Sequence, residues 1–568
     1  MRDTSSFLSM PSINSRYLLP LCAEEKVKEP FILGETNFAL AEVGGNTDGA
    51  VGLATRVQVG LRTSFNKRGE MIKRNSSVTR KKPNILIIYP DQLRADAMGC
   101  DGNPVIKTPH FDRLAQEGVR FEEAYTSFPL CTPFRASLFT GKYNHSTGVF
   151  ANHHPIPLNQ DFLAEKMRSN GYQTGYIGKW HLEGGEAPGF VPPGERRLGF
   201  DYFVGFNRGH YYQNSIFYRD SGQPYHCPRY EPDYQTDHLL QFLKLTQESN
   251  DTPFFGMICY GAPHFPFNMP DYLKNLYRPE EVPIGPTAGN IDLQGEVTAD
   301  LISKGFPGAS GVWGVGNGEG ASYDDEKAVR NYLSQYYGMV ANVDHNVGVI
   351  LNWLDAHGLA ENTVVILLSD HGDMAGELGY RCGTKKTPYR QVCRVPLLIR
   401  YPKQFPAGRR VSNLVDVSVD TMPTLLELCG IAIPQSVQGL SYLSQLYGES
   451  KPTRSEVYYE VNKELEGPER FPIPERGVRT ADWLYTRTQD GPKLLIDRRN
   501  DPLELNNLVS NPKNRDQITI LDSKLGEHMR STEDDWSAEA IFPAPGFLTH
   551  EEKTEKQKAL LREAVVEY

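Results

Sequence analysis

Ile85-Leu86-Ile87-Ile88-Tyr89-Pro90-Asp91-Gln92 and Val364-Val365-Ile366-Leu367-Leu368-Ser369-Asp370-His371 share one plan: an unbroken apolar run of strand length, then a carboxylate followed by a second polar group. An unbroken run, unlike an alternating one, reads as a strand buried on both faces, the situation of a parallel sheet covered by helices. Ligands of open α/β sheets bind outside the carboxyl ends of the strands, so Asp91-Gln92 and Asp370-His371 are expected to converge on one crevice. Two carboxylates, an amide oxygen and an imidazole are expected to make a divalent-metal site there, because a summed charge of −2 neutralises the ion. Helix capping accounts well for either pair alone and poorly for both beside the cysteine described next.

The surrounding chain repeats the alternation of strand and helix. Thr108 to Ala115 reads as a short helix that ends near Gly118, and Val119 to Ala124 as a second strand. Phe162 to Met167 is helical before Gly171, Gln173 to Ile177 is extended, and Phe254 to Tyr260 is another strand. Asp324 to His357 carries Tyr336, Met339, Val340, Val343 and Val347 on one helical stripe, and Leu397 to Ile399 is a further strand. Residues 284 to 323 interrupt this pattern with repeated glycine, and a loop of that length is either a substrate-facing lid or an unstructured insertion. After Pro434-Gln435, Val457 to Val461, Gly477 to Thr480 and Trp483 to Arg487 read as short antiparallel strands, followed by the turn Asn500-Asp501-Pro502. The expected fold is α/β: a large, mostly parallel sheet sandwiched by helices, with a smaller C-terminal α+β part containing an antiparallel sheet. Residues 83–449 form the expected catalytic domain, 450–568 the smaller domain and tail, and 1–82 a disordered extension.

Cys131-Thr132-Pro133-Phe134-Arg135-Ala136-Ser137-Leu138-Phe139-Thr140-Gly141 carries the chemistry. Pro133 presets φ for a first helical turn and Ala136, Ser137 and Leu138 continue it, so Cys131 is expected just before or at a helix N-terminus. Backbone N–H groups and the macrodipole attract anions there, and Arg135 adds a fixed positive fork. An isolated cysteine is more often a buried small hydrophobe, but the ordered Pro, Arg and Thr-Gly argue against that here. The run resembles the sulfatase signature C-x-P-x-R followed by Thr-Gly, and the metal-ligand pattern is closest to choline sulfatases and phosphonate monoester hydrolases of the alkaline phosphatase superfamily.

The resemblance covers roughly residues 83 to 510 and implies a set of roles. Cys131 would be a precursor, oxidised by a formylglycine-generating maturation enzyme to an aldehyde whose hydrate offers one hydroxyl for attack and another for release. Asp91, Gln92, Asp370, His371 and the modified residue 131 would hold one divalent metal. Ca²⁺ is the expected ion, with Mn²⁺ the second candidate because an imidazole softens the site. Gly171 to His181 is similar to the second sulfatase signature and brings Lys179 and His181 to the site. Ala262-Pro263-His264 resembles the third contribution, with His264 as leaving-group acid and His181 hydrogen-bonded to a hydroxyl of residue 131. Lys385 matches the family's later lysine, with Lys386 an adjacent competitor and Arg390 standing where the family usually has an acid. Lys179, Lys385 and Arg135 would supply positive field to the sulfate. Leu495 through Leu508 is similar to the family's C-terminal stretch.

Composition sets limits on these readings. With 60 basic and 70 acidic residues and a net charge of −10, the chain lacks the basic excess of a nucleic-acid binder, so positive charge for an anionic substrate must be local. The eight cysteines include no CxxC pair, which leaves a zinc ribbon, dithiol redox site or disulfide scaffold unsupported. No stretch approaches the roughly 20 apolar residues of a membrane helix. Tyr17-Leu18-Leu19-Pro20-Leu21 is a poor secretory core, so the expected compartment is cytoplasmic, with export as the alternative. Asn207-Arg208-Gly209-His210-Tyr211-Tyr212 suits a sugar or an ordinary surface loop equally and adds nothing to the assignment. The expected activity is hydrolysis of a small-molecule or carbohydrate sulfate ester. Phosphonate monoester or phosphodiester hydrolysis with the same machinery is the alternative, and a silent sulfatase-like binding protein a lesser one, since every matched position is occupied.

Overall fold

The computed structural model describes residues 81–185, 189–248, 252–288, 326–380, 382–462, 474–537 and 550–567. The expected extension lies outside them up to residue 80, as does the glycine-rich stretch from 289 to 323.

Eight strands build the main sheet: β1 (Asn84–Asp91), β2 (Val119–Phe121), β3 (Gln173–Lys179), β4 (Tyr202–Phe206), β5 (Phe254–Pro263), β6 (Thr363–Leu368), β7 (Leu397–Arg400) and β8 (Arg409–Val411). Their order is β8-β2-β7-β6-β1-β5-β3-β4. The pairs β6·β1, β1·β5, β5·β3 and β3·β4 are parallel, and β7 runs antiparallel to both of its neighbours. The expected strand from Val119 to Ala124 divides at Glu122-Glu123. Val119–Phe121 stays in the main sheet while Ala124–Tyr125 pairs with Val415–Asp416.

The alternation of side chains along β1 separates two apolar layers. Ile85, Ile87 and Tyr89 pack with Phe134 and Leu138 of helix Cys131–Thr140 and with Met422 and Leu425 of helix Val417–Leu428. Leu86 and Ile88 face Phe111 and Leu114 of Pro109–Glu117, Leu239 and Phe242 of Glu231–Gln247, and Val340, Val343 and Val347 of Glu326–Ala356. These helices are α1 (Pro109–Glu117), α2 (Cys131–Thr140), α3 (Glu231–Gln247), α4 (Glu326–Ala356) and α5 (Val417–Leu428). Full burial of each such aliphatic side chain contributes about 1.5 to 3 kcal/mol, which favours β1 and β6, apolar on both faces, in the middle of the sheet.

A second sheet of four antiparallel strands follows: β9 (Glu456–Val461), β10 (Glu475–Thr480), β11 (Trp483–Thr488) and β12 (Gly491–Asp497). Helix α6 (Arg515–Thr532) covers it, with Leu521 and Leu525 against Tyr458, Val478, Tyr485 and Leu495. The sheet is tied to α2. Glu460 of β9 accepts from the backbone N–H of Asn144, and the Asn144 amide donates to the Pro133 carbonyl, 2.7 Å. A further small sheet joins Gln213–Phe217, Tyr225–Tyr230 and Val565–Val566.

Candidate active site

The carboxyl ends of β6, β1, β5 and β3, four adjacent parallel strands, deliver the polar groups. Register pairs Asp91 of β1 with Pro263 of β5, which brings His264 beside Asp91, and Lys179 is the last residue of β3. Ser369 clamps the ends of β1 and β6, accepting from the Leu93 N–H (2.9 Å) and donating to the Pro90 carbonyl (2.8 Å). Tyr336 of α4 fixes the following turn, since its hydroxyl donates to the Gln92 carbonyl and accepts from the Arg94 N–H. Gln92 and His181, each just past a strand end, adopt φ of 67° and 58°. Left-handed backbone at non-glycine residues is uncommon and clusters at functional sites.

Cys131 is the first residue of α2 and is buried, with Leu130 at the N-cap. Its Sγ lies 3.2 Å from Lys385 Nζ, 3.4 Å from His371 Nε2 and 3.5 Å from Asp91 Oδ1. The Asp91 carboxylate divides its work. Oδ2 accepts from Lys179 Nζ (2.6 Å) and Arg135 Nη2 (3.2 Å), while Oδ1 faces Cys131 and His371. Arg135 is fully buried, donates to the Lys179 carbonyl at 2.6 Å and lies over the Tyr89 ring, 4.7 Å from its centroid.

Three imidazoles present Nε2 to this cluster, and their tautomers follow from the partners. An ammonium group only donates. Lys385 Nζ is 3.1 Å from His264 Nε2, so that nitrogen accepts and Nδ1–H donates to the Phe265 carbonyl. Lys179 Nζ is 3.0 Å from His210 Nε2, so His210 Nδ1–H points to the Tyr212 hydroxyl at 2.9 Å. His371 Nδ1–H donates to the Gly372 carbonyl at 2.8 Å, which leaves its Nε2 facing Cys131 and Asp370. His264 and His210 stack with centroids 3.9 Å apart and planes 12° apart.

Charge explains the protonation states. Burial opposes ionisation of Asp91, yet the Lys179 and Arg135 cations hold its carboxyl well below the usual range. Burial and then neighbouring cations push His264, His210 and His181 well below the ordinary imidazole range, so all three are neutral near pH 7. Burial and Asp91 would raise the Cys131 thiol, but Lys385, Lys179 and His371 bring it below its ordinary value. Burial works against His371 as well, and the adjacent Asp370 carboxylate carries it above the ordinary imidazole value. With Arg135, Lys179 and Lys385 against Asp91 and Asp370, the cluster is positive within a chain of net charge −10.

Asp91, Cys131, Asp370 and His371 offer ligand atoms that all lie within 4.8 Å of one another. Asp370 Oδ1 accepts from the Gln92 and His371 N–H groups, whereas its Oδ2 is buried without a hydrogen-bond partner. A buried, unpartnered carboxylate oxygen is costly unless a cation meets it. Gln92 Nε2 donates to Asp373 at 2.6 Å, and its Oε1 is likewise buried and unpartnered. This oxygen-rich donor set with one imidazole fits a divalent cation.

The structure therefore brings Asp91, Cys131, Arg135, Lys179, His264, Asp370, His371 and Lys385 into one contact network, with Gln92 beside it. Lys385, and not Lys386, reaches Cys131. His181 shares no hydrogen bond with Cys131; its ring is buried and both ring nitrogens lack a hydrogen-bond partner. Arg390 does not leave its turn without an acid, because Glu504 from the C-terminal stretch accepts the Arg390 N–H at 2.9 Å. Sequence reasoning missed two residues. Asp373, which holds the Gln92 amide and the Tyr332 hydroxyl, was signalled only by following Asp370-His371-Gly372. His210 sits in the loop that added nothing to the sequence assignment.

Residues 83–431 match the sulfatase family, and residues 376–531 match the C-terminal region of N-sulphoglucosamine sulphohydrolase. An ulvan-active sulfatase of Formosa agariphila is 33% identical over 463 residues, 81% of this chain and 84% of that protein. A structure solved in complex with its substrate D-glucosamine-2-N,6-O-disulfate superposes with a TM-score of 0.65 at 26% identity, covering 81% of this chain and 100% of the other. Phosphonate monoester hydrolase of Agrobacterium radiobacter shares the fold, with a TM-score of 0.64 at 24% identity over 79% of this chain and 96% of that one.

Proposed function

We infer the reaction from the premise that this chain belongs to the sulfatase family and is a sulfuric ester hydrolase. Within that class we propose that it cleaves the sulfate ester of a carbohydrate, with Cys131 matured to formylglycine. The observation that carries the reading is the position of Cys131: first residue of a helix, buried, and within 3.5 Å of Asp91, His371 and Lys385.

Maturation would place a hydrated aldehyde, with two hydroxyls on one carbon, where the thiol now meets these groups. Asp91 Oδ1, Asp370 Oδ2, His371 Nε2, Gln92 and residue 131 would hold a divalent cation, which when bound supplies positive charge to the sulfate oxygens and acidifies the attacking hydroxyl. Arg135 and Lys179 anchor Asp91 from its other oxygen, so the carboxylate stays ionised and correctly turned. Lys385 and Lys179 direct N–H groups into the cluster, where charge gathers on the SO₃ oxygens in the transition state. His264 is the leaving-group acid. A sulfate ester beside it adds negative charge, which favours the imidazolium that neighbouring cations otherwise disfavour. His181, with both ring nitrogens unpartnered, is suited to a hydroxyl of residue 131.

The carbohydrate half of the reading rests on the ulvan-active relative and on the glucosamine disulfate complex. The Asp91-Gln92 and Asp370-His371 pairs favour phosphonate monoesters as the second reading. Turnover of 4-nitrophenyl sulfate, a panel of sulfated saccharides and a phenyl phosphonate monoester by the matured enzyme decides the matter. The proposal expects sulfate esters to be favoured in kcat/KM, with a saccharide sulfate among the best, and a preference for the phosphonate overturns it.

A further inference from the structure

Three contacts meet on the His210 ring. Its Nε2 accepts from Lys179 Nζ (3.0 Å), its Nδ1–H reaches the Tyr212 hydroxyl (2.9 Å), and one face lies 3.9 Å from His264 at 12°. Tyr212 is buried and its hydroxyl donates to the carbonyls of Gly261 and His264, so the far side of His210 is anchored to the end of β5. The residue thus touches both halves of the cluster: the lysine that pairs with Asp91, and the imidazole that meets Lys385.

Counting donors shows what this achieves. The Lys179 ammonium has three N–H groups. One goes to Asp91 Oδ2 and one to His210 Nε2, which directs the third and prevents a long, flexible side chain from turning all its donors to the carboxylate. The stack acts on the other residue. His264 Nδ1–H is committed to the Phe265 carbonyl and the Phe265 ring stacks on it at 4.6 Å and 25°, and the closer, more parallel His210 ring adds to the hold on the imidazole plane and on the direction of Nε2.

We propose that His210 is a positioning residue for ester cleavage, holding the Lys179 ammonium through Nε2 and the His264 ring plane through the stack. The second half rests on the reading of His264 as leaving-group acid. His210→Phe keeps a ring for the stack and removes the acceptor. His210→Gln keeps an acceptor and removes the His210 ring from the His264 face, leaving only the Phe265 stack. The matured full chain is assayed on 4-nitrophenyl sulfate, whose phenolate leaves unaided, and on a monosaccharide 6-O-sulfate, whose alkoxide needs a proton, with the parent, both variants and His264→Ala in parallel.

The expected result is a change in the ratio of the two rates. His210→Gln lowers kcat on the saccharide sulfate about 10- to 100-fold, the scale of a misplaced catalytic group, and affects the nitrophenyl ester far less. His210→Phe lowers both rates in proportion, because Lys179 serves the sulfate common to both. A general loosening of the fold would not move the ratio, and melting temperatures measured alongside identify it. An unchanged ratio in His210→Gln while His264→Ala shifts it overturns the stacking role alone. An unchanged ratio in His264→Ala removes the acid assignment and the stacking role with it. Parent-like rates in His210→Phe overturn the hold on Lys179.

Discussion

Lys179 Nζ lies 2.6 Å from Asp91 Oδ2, and neither side chain has any solvent exposure. Breaking one partner of a buried pair costs about 3 to 5 kcal/mol, because the other charge is left uncompensated. Arg135 remains 3.2 Å from the same oxygen, so Lys179→Met is expected at the low end, about 3 kcal/mol, together with loss of most activity. Denaturant unfolding of the two proteins checks this, and equal stability would show that Arg135 alone neutralises Asp91.

Asp370 Oδ2 makes a different prediction, because its cost depends on whether a cation is present. A ligand that binds only the folded state stabilises it by mass action. The parent should lose melting temperature on chelation and regain it with added Ca²⁺ or Mn²⁺. Asp370→Asn should be insensitive to both, and in chelator close to the parent in stability, since the buried Oδ2 it neutralises accepts no hydrogen bond and has only His371 Nε2 at 3.5 Å. A variant that still gains stability from the metal would contradict the assignment of this oxygen.

How much of this could be read beforehand follows from range. The strands β1 and β6 were legible because the unbroken apolar runs Ile85–Tyr89 and Val364–Leu368 announce themselves, and Cys131 with Arg135 because a helical start and its basic residue are local. Helix α5 was not, since Pro423 stands inside it and reads as a break. Strand β12 was obscured because Leu495-Ile496-Asp497 also opens a recognisable motif. Nothing local separates Lys385 from Lys386; only the fold brings one of them to Cys131. His210 is the clearest case, because its meaning depends on Lys179 and His264, residues from two other strand ends.

His264→Ala should damage alkyl and saccharide sulfates more than 4-nitrophenyl sulfate, with a difference approaching the roughly 10²- to 10⁴-fold range of general acid catalysis. Lys385→Ala removes a charge that serves the sulfate in every substrate and should slow both alike. Steady-state kinetics on the two esters separate the roles, and equal damage from His264→Ala would move the acid elsewhere.

Beside the Glu460 tie to α2, His145 Nδ1 lies 2.8 Å from Glu460 Oε2 and 3.5 Å from Asp534 Oδ2, and Asp534 predicts a pH dependence of stability. Burial would raise the Asp534 carboxyl, but hydrogen bonding and charge from Arg476, then His145 and Tyr458, hold it down at about 2. Its unfolded value is about 3.9, so the folded state is favoured by ionisation: the contribution is complete above pH 4 and is lost as pH falls through 2. The difference amounts to about 2 to 3 kcal/mol. The stability gap between the parent and Asp534→Asn, followed by denaturant titration, should shrink by that amount between pH 6 and pH 2. A gap that stays constant would show that Asp534 is not held ionised by Arg476.

The central claim concerns one atom, Cys131 Sγ. Mass measurement of the proteolytic peptide containing residue 131, on protein co-expressed with a formylglycine-generating enzyme and assayed from the same preparation, tests it most directly. The account predicts that active protein carries an aldehyde in place of the thiol, that activity scales with the converted fraction, and that Cys131→Ser fails to turn over repeatedly. Full multiple-turnover activity in protein whose residue 131 is still the thiol would contradict it.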